Sequence, residues 1–308
     1  MGKPDKPAAA SRPRRYSLHG TALDAPKAAP GLYLVATPIG NLADISLRAL
    51  ELLAGADLVA CEDTRVTRRL TERYGIDTPL TPYHEHNAAE ARPKLLARLV
   101  EGEAIALVSD AGTPLISDPG YKLARAASEA GHAVTAVPGA SSALAALSVA
   151  GLPTDRFFFE GFLPPRQAAR QKRIAALKNI PATLVLFESG PRLPATLADL
   201  AEGLGARAAA VCRELTKLHE EVRRGDLATL ARDYAQGGET RGEIVIVVAP
   251  PAEEEVAVDV DALLRRALTR VSLKDAVGEV ALASGRPRRE VYQRALELTK
   301  EGSNGAAR

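Results

Sequence analysis

A chain of 308 residues, 46 % hydrophobic and 25 % charged, has the make-up of an ordinary folded protein and room for two domains. Its net charge of +2 excludes a whole-molecule field for polyanions, so any nucleic-acid site must be a local patch. Cys61 and Cys212 stand far apart and outside any CxxC pair, which fits a reducing cytosol and offers no thiolate zinc site; no apolar run approaches the ~18 residues of a membrane span.

Residues 1–30 hold six Lys or Arg, two Asp and five Pro without a hydrophobic period. They read as a disordered basic tail, either solubilising or touching RNA phosphates, and lack the apolar centre of a signal peptide. From Gly31 the pattern is strand, polar loop, helix, five times over. The strands are Leu32 to Ala36, Ala56 to Cys61, Leu80 to Tyr83, Ala104 to Val108 and Val134 to Val137. Such repeats predict a parallel sheet with helices on its faces and all five loops at one edge. The fourth loop, SDAGTPLISDPG (109–120), packs Gly, Pro, Ser and Asp more densely and at greater length than an ordinary strand-to-helix turn. At the carboxyl end of a buried strand it is a ligand-loop candidate.

After Gly151-Leu152-Pro153 the pattern changes. A phenylalanine-rich stretch, 157–162, leads into a basic helix with Arg166, Arg170, Lys172 and Arg173. A second α/β set follows, with strands Thr183 to Phe187, Ala208 to Val211 and Glu243 to Val248. Pro250-Pro251 and the acidic 253–255 form a linker. Residues 256–308 carry two helices joined at Ser284-Gly285-Arg286-Pro287, in the manner of a helix-turn-helix, with Arg286, Arg288 and Arg289 at the start of the second. A nucleic-acid contact and a solvated helical hairpin both fit them. The expected domains are therefore 1–30 (tail), 31–150, 151–250 and 256–308.

Several chemistries lack their motif. There is no GxxxxGK[ST] and no GxSxG, and Gly203-Leu204-Gly205 follows a helix rather than a strand, so it reads as a helix cap. His84 and His86 alternate but find no completing cysteine or acidic pair, and no metal is expected. Glu62-Asp63-Thr64-Arg65 can be a charged helix start or a site, as can Glu188 with Arg192, and Glu214 to Lys217 with Glu220 and Glu221.

Nine segments in register carry a resemblance: VATPIGNLADIS (35–46), CEDTR (61–65), YHEHN (83–87), SDAGTPLISDPG (109–120), PGASS (138–142), FFFEGFLP (157–164), FESGPR (187–192), RELTKLHEE (213–221) and RGEIVIVV (241–248). Together they resemble the bacterial small-subunit ribosomal RNA 2′-O-methyltransferases of the tetrapyrrole-methylase superfamily, over about Gly31 to Ala249. The resemblance implies two α/β domains of the tetrapyrrole-methylase type, S-adenosylmethionine in the cleft between them, a small C-terminal helical unit and a homodimer. It implies cofactor contacts at Pro38, Ser109, Asp110, Ala111, Gly112, Thr113, Ser141, Ser142, Phe187 and Gly242.

The implied reaction is methyl transfer to the 2′-hydroxyl of a cytidine in 16S ribosomal RNA, free or in the small subunit, in the cytoplasm. The sulfonium is already activated, so orientation and water exclusion carry most of the work. A nearby base helps a weakly nucleophilic hydroxyl, and Asp63, His84 and Glu188 are the candidates. Arg65, Arg192, Lys217, Arg286, Arg288 and Arg289 are candidates for RNA phosphates. The phenylalanine stretch either stacks a base or fills the domain junction. Two other classes stay open: a small-molecule methylase of the same superfamily, and a non-catalytic RNA-binding protein with a vestigial cleft.

Overall fold

The computed structural model describes residues 13–252 and 259–305. The chain divides into two compact units, Met1–Pro251 and Ala252–Arg308.

The expected tail is corrected from residue 13 onward; its first twelve residues lie outside the described residues. Strands β1 (Arg15–Leu18) and β2 (Thr21–Asp24) pair as an antiparallel hairpin, Arg15 opposite Asp24 and Leu18 opposite Thr21. The turn residues His19 and Gly20 both take positive φ, 48° and 82°, as a two-residue hairpin turn requires. Two of the basic residues here, Arg14 and Arg15, are paired within the protein. Arg14 reaches Asp57 Oδ1 at 2.6 Å and the Gly55 carbonyl at 3.0 Å, and Arg15 pairs with Asp24 at 2.8 Å. Tyr16 is buried in the core with Val35, Leu50 and Tyr74. Composition hid this, because one aromatic anchor and one paired arginine hold a segment too short to show a period.

Five strand-loop-helix repeats follow: β3 (Gly31–Val35), α1 (Leu47–Gly55), β4 (Leu58–Cys61), α2 (Thr64–Arg73), β5 (Leu80–Pro82), α3 (Ala88–Val100), β6 (Ala104–Val108), α4 (Tyr121–Glu129), β7 (Val134–Val137) and α5 (Ser142–Ala150). The strands form one sheet in the order β5-β4-β6-β3-β7, every pair parallel. All five residues of β6 are buried, as expected for a parallel strand covered on both faces. Polar residues mark the helix starts. The side chains of Ser46, Asp63 and Ser141 accept from the backbone N–H of Ala49, Arg65 and Leu144 to cap α1, α2 and α5.

The second sheet is built from β8 (Phe157–Phe162), α6 (Gln167–Leu177), β9 (Thr183–Ser189), α7 (Leu193–Leu204), β10 (Ala208–Arg213), β11 (Glu221–Asp226), α8 (Leu227–Gln236) and β12 (Glu243–Val248). Its order is β11-β10-β12-β9-β8; only β8 and β9 run parallel. Two strands here were not anticipated. The register of β8 shifts between Phe159 and Gly161, whose φ is 73°, so the alternation is broken. The edge strand β11 reads EVRRGD, too charged to signal a strand.

The alanines of α5 have a purpose in this sheet. Ala143, Ala146 and Ala150 pack with Val185, Ala210, Cys212, Val245 and Val247, so the last helix of the first set covers a face of the second. Another apolar cluster joins α6, α7 and α8 to strand residues such as Leu184, Val211 and Ile246. Arg170, read as part of a basic helix face, is buried; its Nε lies 2.6 Å from Asp199 Oδ2, and Gln171 also donates to that carboxylate. Leu204 ends α7 and Gly205 caps it at φ 78°.

The smaller unit holds α9 (Val260–Leu268), α10 (Leu273–Ser284) and α11 (Arg288–Gly305) around Leu264, Ala276, Val280, Val291 and Ala295. Ser272 caps α10 and Gly285 ends it in the left-handed conformation at φ 65°.

Candidate active site

The loops after β3 and β6, neighbours in the first sheet, are stitched together. Thr37 and Gly112 exchange both backbone hydrogen bonds, at 2.9 and 3.0 Å, and Thr37 Oγ1 donates to the Ser109 carbonyl at 3.2 Å. Thr113 Oγ1 donates to the Ala140 carbonyl at 3.1 Å, tying in the loop before α5. From the second sheet, the turn between β10 and β11 reaches back: the Asn41 N–H donates to Thr216 Oγ1 at 3.1 Å. Glu214 and Thr216 sit at φ 50° and 65°, a strained shape for side-chain-bearing residues.

Between these parts lies a cavity of about 210 Å³. The first sheet gives it Ile39, Ala111, Gly112, Thr113, Ile116, Ser117 and Asp118, and α5 gives Ser141 and Ser142. The second sheet gives Phe162, Phe187, Glu188, Cys212, Glu243, Ile244 and Val245, with Leu215 from the turn after β10. The walls are mainly apolar. The α5 amino terminus adds a site for negative charge, and Asp118 and Glu243 add sites for positive charge.

Six of the ten expected cofactor residues line this cavity: Ala111, Gly112, Thr113, Ser141, Ser142 and Phe187. The other four do not. Pro38 is buried beside Ile39, which does. Ser109 is buried, its hydroxyl oxygen 3.3 and 3.4 Å from the Ala111 and Gly112 carbonyl oxygens. Asp110 turns to the Asp63 N–H, which it accepts at 3.0 Å. Gly242, at φ 98°, leaves room for the Glu214 side chain, whose Cγ would lie 2.6 Å from an added Cβ. Gly112 also differs in manner. Its N–H and carbonyl are both spent on Thr37, so its contribution is a φ of 81° and a bare surface rather than main-chain hydrogen bonds.

The three candidate bases are not gathered around the cavity. Asp63 is an N-cap held by Arg65 through Nε and Nη2, which keeps its carboxyl well down, at about 2. So acidic a carboxylate is a poor proton acceptor at neutral pH. Glu188 lines the cavity, but its carboxylate is fully buried and spent, accepting from the Ser189 N–H at 2.8 Å and Thr196 Oγ1 at 2.7 Å with Arg192 Nε at 3.3 Å. His84 is not among the lining residues; its Nδ1 is buried without a partner.

The candidate RNA cations divide likewise. Lys217 is bound to Glu214 at 2.8 Å and Glu243 at 3.0 Å, and Arg192 to the Leu163 carbonyl at 2.8 Å as well as Glu188, so both serve structure. Arg65 is 88 % exposed but shared with Asp63. Arg286, Arg288 and Arg289 are exposed and, among the described residues, form no ion pair. In the smaller unit a groove is lined by Lys274, Val277, Arg288, Arg289 and Tyr292. The phenylalanine stretch splits its duties: Phe162, 56 % exposed, lines the cavity and meets Phe187 edge-on at 5.6 Å, while Phe159 packs on Phe187 at 5.0 Å. Missed by sequence reading were the strand residues Cys212, Ile244 and Val245, which look like any core positions. Asp118 was also missed, although the second Ser-Asp pair of the long loop was in plain view.

Two sheets of this kind, joined over a cavity fed by the loops of the parallel one, define a methylase of the tetrapyrrole type. The profile of the family described as Tetrapyrrole (Corrin/Porphyrin) Methylases matches residues 31–231, and that of the RsmI C-terminal HTH domain matches 254–299. The crystal structure of uroporphyrin-III-C-methyltransferase from Thermus thermophilus superposes with a TM-score of 0.51 at 25 % identity, covering 71 % of this chain and 94 % of that one. Diphthine synthase superposes with a TM-score of 0.55 at 20 % identity, covering 71 % and 89 %.

The full-length relatives are closer. Ribosomal RNA small subunit methyltransferase I of Mesorhizobium japonicum is 52 % identical over 278 residues, 90 % of this chain and 95 % of that one. The protein of the same name from Pseudomonas aeruginosa is 45 % identical over 273 residues, 86 % and 96 %. The chain belongs to the ribosomal RNA small subunit methyltransferase I family.

Proposed function

We propose that the protein transfers the methyl group of S-adenosylmethionine to the 2′-hydroxyl of a cytidine in 16S ribosomal RNA. The observation that carries this is the cavity itself, in a chain 52 % identical to a small-subunit RNA methyltransferase over 90 % of its length. S-adenosylmethionine fits the walls. Ile39, Ile116, Phe162, Phe187 and Leu215 suit its flat apolar part, the α5 amino terminus with Ser141 and Ser142 suits its carboxylate, and Glu243 suits a positive charge. When bound, the cofactor supplies an electrophilic methyl group. The chain aligns the hydroxyl with it and excludes water, an orientation effect.

Arg286, Arg288 and Arg289 contact RNA phosphates in this reading. All three stand exposed near the amino terminus of α11, where the helix dipole disfavours bare cations and an incoming phosphate relieves them. The working form is a homodimer in the cytoplasm; among the described residues no helix is long and apolar enough to cross a membrane. The test is tritium transfer from S-adenosylmethionine to small ribosomal subunits beside uroporphyrinogen. Label in 16S RNA alone supports the reading; label in the tetrapyrrole alone replaces it with a small-molecule methylase.

A further inference from the structure

A second cavity, of about 490 Å³, adjoins the first and shares Ser117 and Asp118 with it. Its volume lies within the roughly 300–1,000 Å³ of small-molecule sites. Glu62, Glu85, Arg92 and Tyr121 are among its other walls, and none comes from the second sheet. These residues fall in or next to the CEDTR, YHEHN and SDAGTPLISDPG segments, of which the first two contribute nothing to the donor cavity.

Two features mark it as built to hold something. Arg92 Nε is buried with no hydrogen-bond partner, a cost that an acceptor on a ligand removes. The loop presenting Asp118 is strained and wedged: Leu115 and Ser117 sit at φ 74° and 62°, and at Gly120 (φ 132°) an added Cβ would lie 2.8 Å from Leu107. Strain of this kind persists where the surroundings fix it, as in ligand clamps.

We infer that this cavity holds the acceptor nucleoside and that the Asp118 carboxylate, in the wall common to both cavities, takes the proton of the hydroxyl being methylated. The inference rests on the RNA reading above. The hydroxyl O–H bond breaks and its proton passes to Asp118. An oxygen lone pair forms the bond to the methyl carbon. The S–CH₃ bond breaks with its electrons to sulfur, which becomes a neutral thioether, and the proton leaves Asp118 to solvent. Burial pushes Asp118 above the usual carboxylate range; a Ser109 hydrogen bond opposes this and the Asp110 charge adds to it. Such a carboxylate is a better base near neutrality than Asp63. Glu62 is raised in the same direction by burial and by Asp110 and Asp118, and the cavity also carries Glu85, Arg92 and Lys122. Glu62 and Glu85 can accept from an exocyclic amino group, Arg92 can donate to a base carbonyl, and the ring of Tyr121, 64 % exposed, can stack. Cytosine offers both groups; uracil lacks the amino group.

The test compares Asp118→Asn and Arg92→Met with the parent on small ribosomal subunits, with S-adenosylmethionine affinity measured by calorimetry. Asp118→Asn is expected to lower kcat by about 10²-fold or more and to remove the acidic limb of the parent's pH–kcat profile. Arg92→Met, which does not line the donor cavity, is expected to raise KM for subunits at unchanged cofactor affinity. The parent's own turnover in the same assay reports separately on the RNA reading. A parent that turns over, beside Asp118→Asn with the same kcat and pH profile, overturns the proton-acceptor role; Arg92→Met with the parent's KM overturns the acceptor pocket.

Discussion

The first sheet is parallel throughout and sends five loops to one edge; the second is mostly antiparallel and meets the proposed donor cavity with its strands. One supplies adjustable backbone, the other a wall of packed residues such as Cys212, Ile244 and Val245. The division of labour follows. Every residue of the inferred acceptor cavity belongs to the first sheet's loops and helices, while the second sheet closes the donor from the far side.

The largest effect that should separate the two is on stability. Asp199→Ala leaves Arg170 buried and unpaired between α6 and α7, and is expected to cost about 3–5 kcal/mol in urea unfolding. A rigid wall needs that bridge. A loss below about 1 kcal/mol would mean that Arg170 is held well enough without the carboxylate, for example by the Pro165 carbonyl it already meets at 3.2 Å.

Gly112→Val strikes the loop side instead. At φ 81° a β-branched residue is strained, although an added Cβ meets only Ile39 Cγ2 at 3.4 Å and the Ala140 carbonyl oxygen at 3.8 Å. S-adenosylmethionine binding should weaken by more than about tenfold, the equivalent of 1.4 kcal/mol, while circular dichroism stays native. Parental affinity in calorimetry would remove the loop from the donor site.

Thr216→Ala cuts the hydroxyl that accepts the Asn41 N–H, a tether between the two sheets. A loss of about 1 kcal/mol in thermal unfolding is expected, with a weaker donor complex.

Asp118→Asn should make the protein more stable at neutral pH. The folded carboxyl is raised by burial, so the folded state binds the proton more tightly than the unfolded one, whose value is near 3.9. The penalty is complete above the folded pKa and vanishes below the unfolded one. The gain in Tm should therefore be present at pH 8 and fade as pH falls toward about 4. A gain that grows with acidity would reverse the assigned shift.

The smallest effect is assigned to Asp63→Asn. Asparagine also caps a helix, and the lost contact is to an exposed arginine, so kcat on subunits should stay near the parent's. A large drop would return Asp63 to the chemistry.

The same contrast decides what could be read from the sequence. The alternation of short strands with polar loops and helices repeats five times, so all five strands of the first sheet could be read from their residues, the exposed edges β5 and β7 included, and so could the unusual length of the 109–120 loop. In the second sheet, β8 is bent at Gly161 and β11 is a charged edge, and neither carries a strand signal. Within the site, sequence reading found residues by motif but not their partners. It had no means of seeing that Lys217 is spent on Glu214 and Glu243, that Glu188 is saturated by Ser189 and Thr196, or that Asp110 turns toward Asp63. Those are pairings over distances of 1 to 47 residues, fixed only by the fold.

The central claim is tested most directly by mapping 2′-O-methyl groups on 16S ribosomal RNA from a strain lacking this gene, with and without the parent chain restored. The account predicts one cytidine that loses its ribose methyl group in the deletion and regains it with the parent. An unchanged methylation map would contradict it.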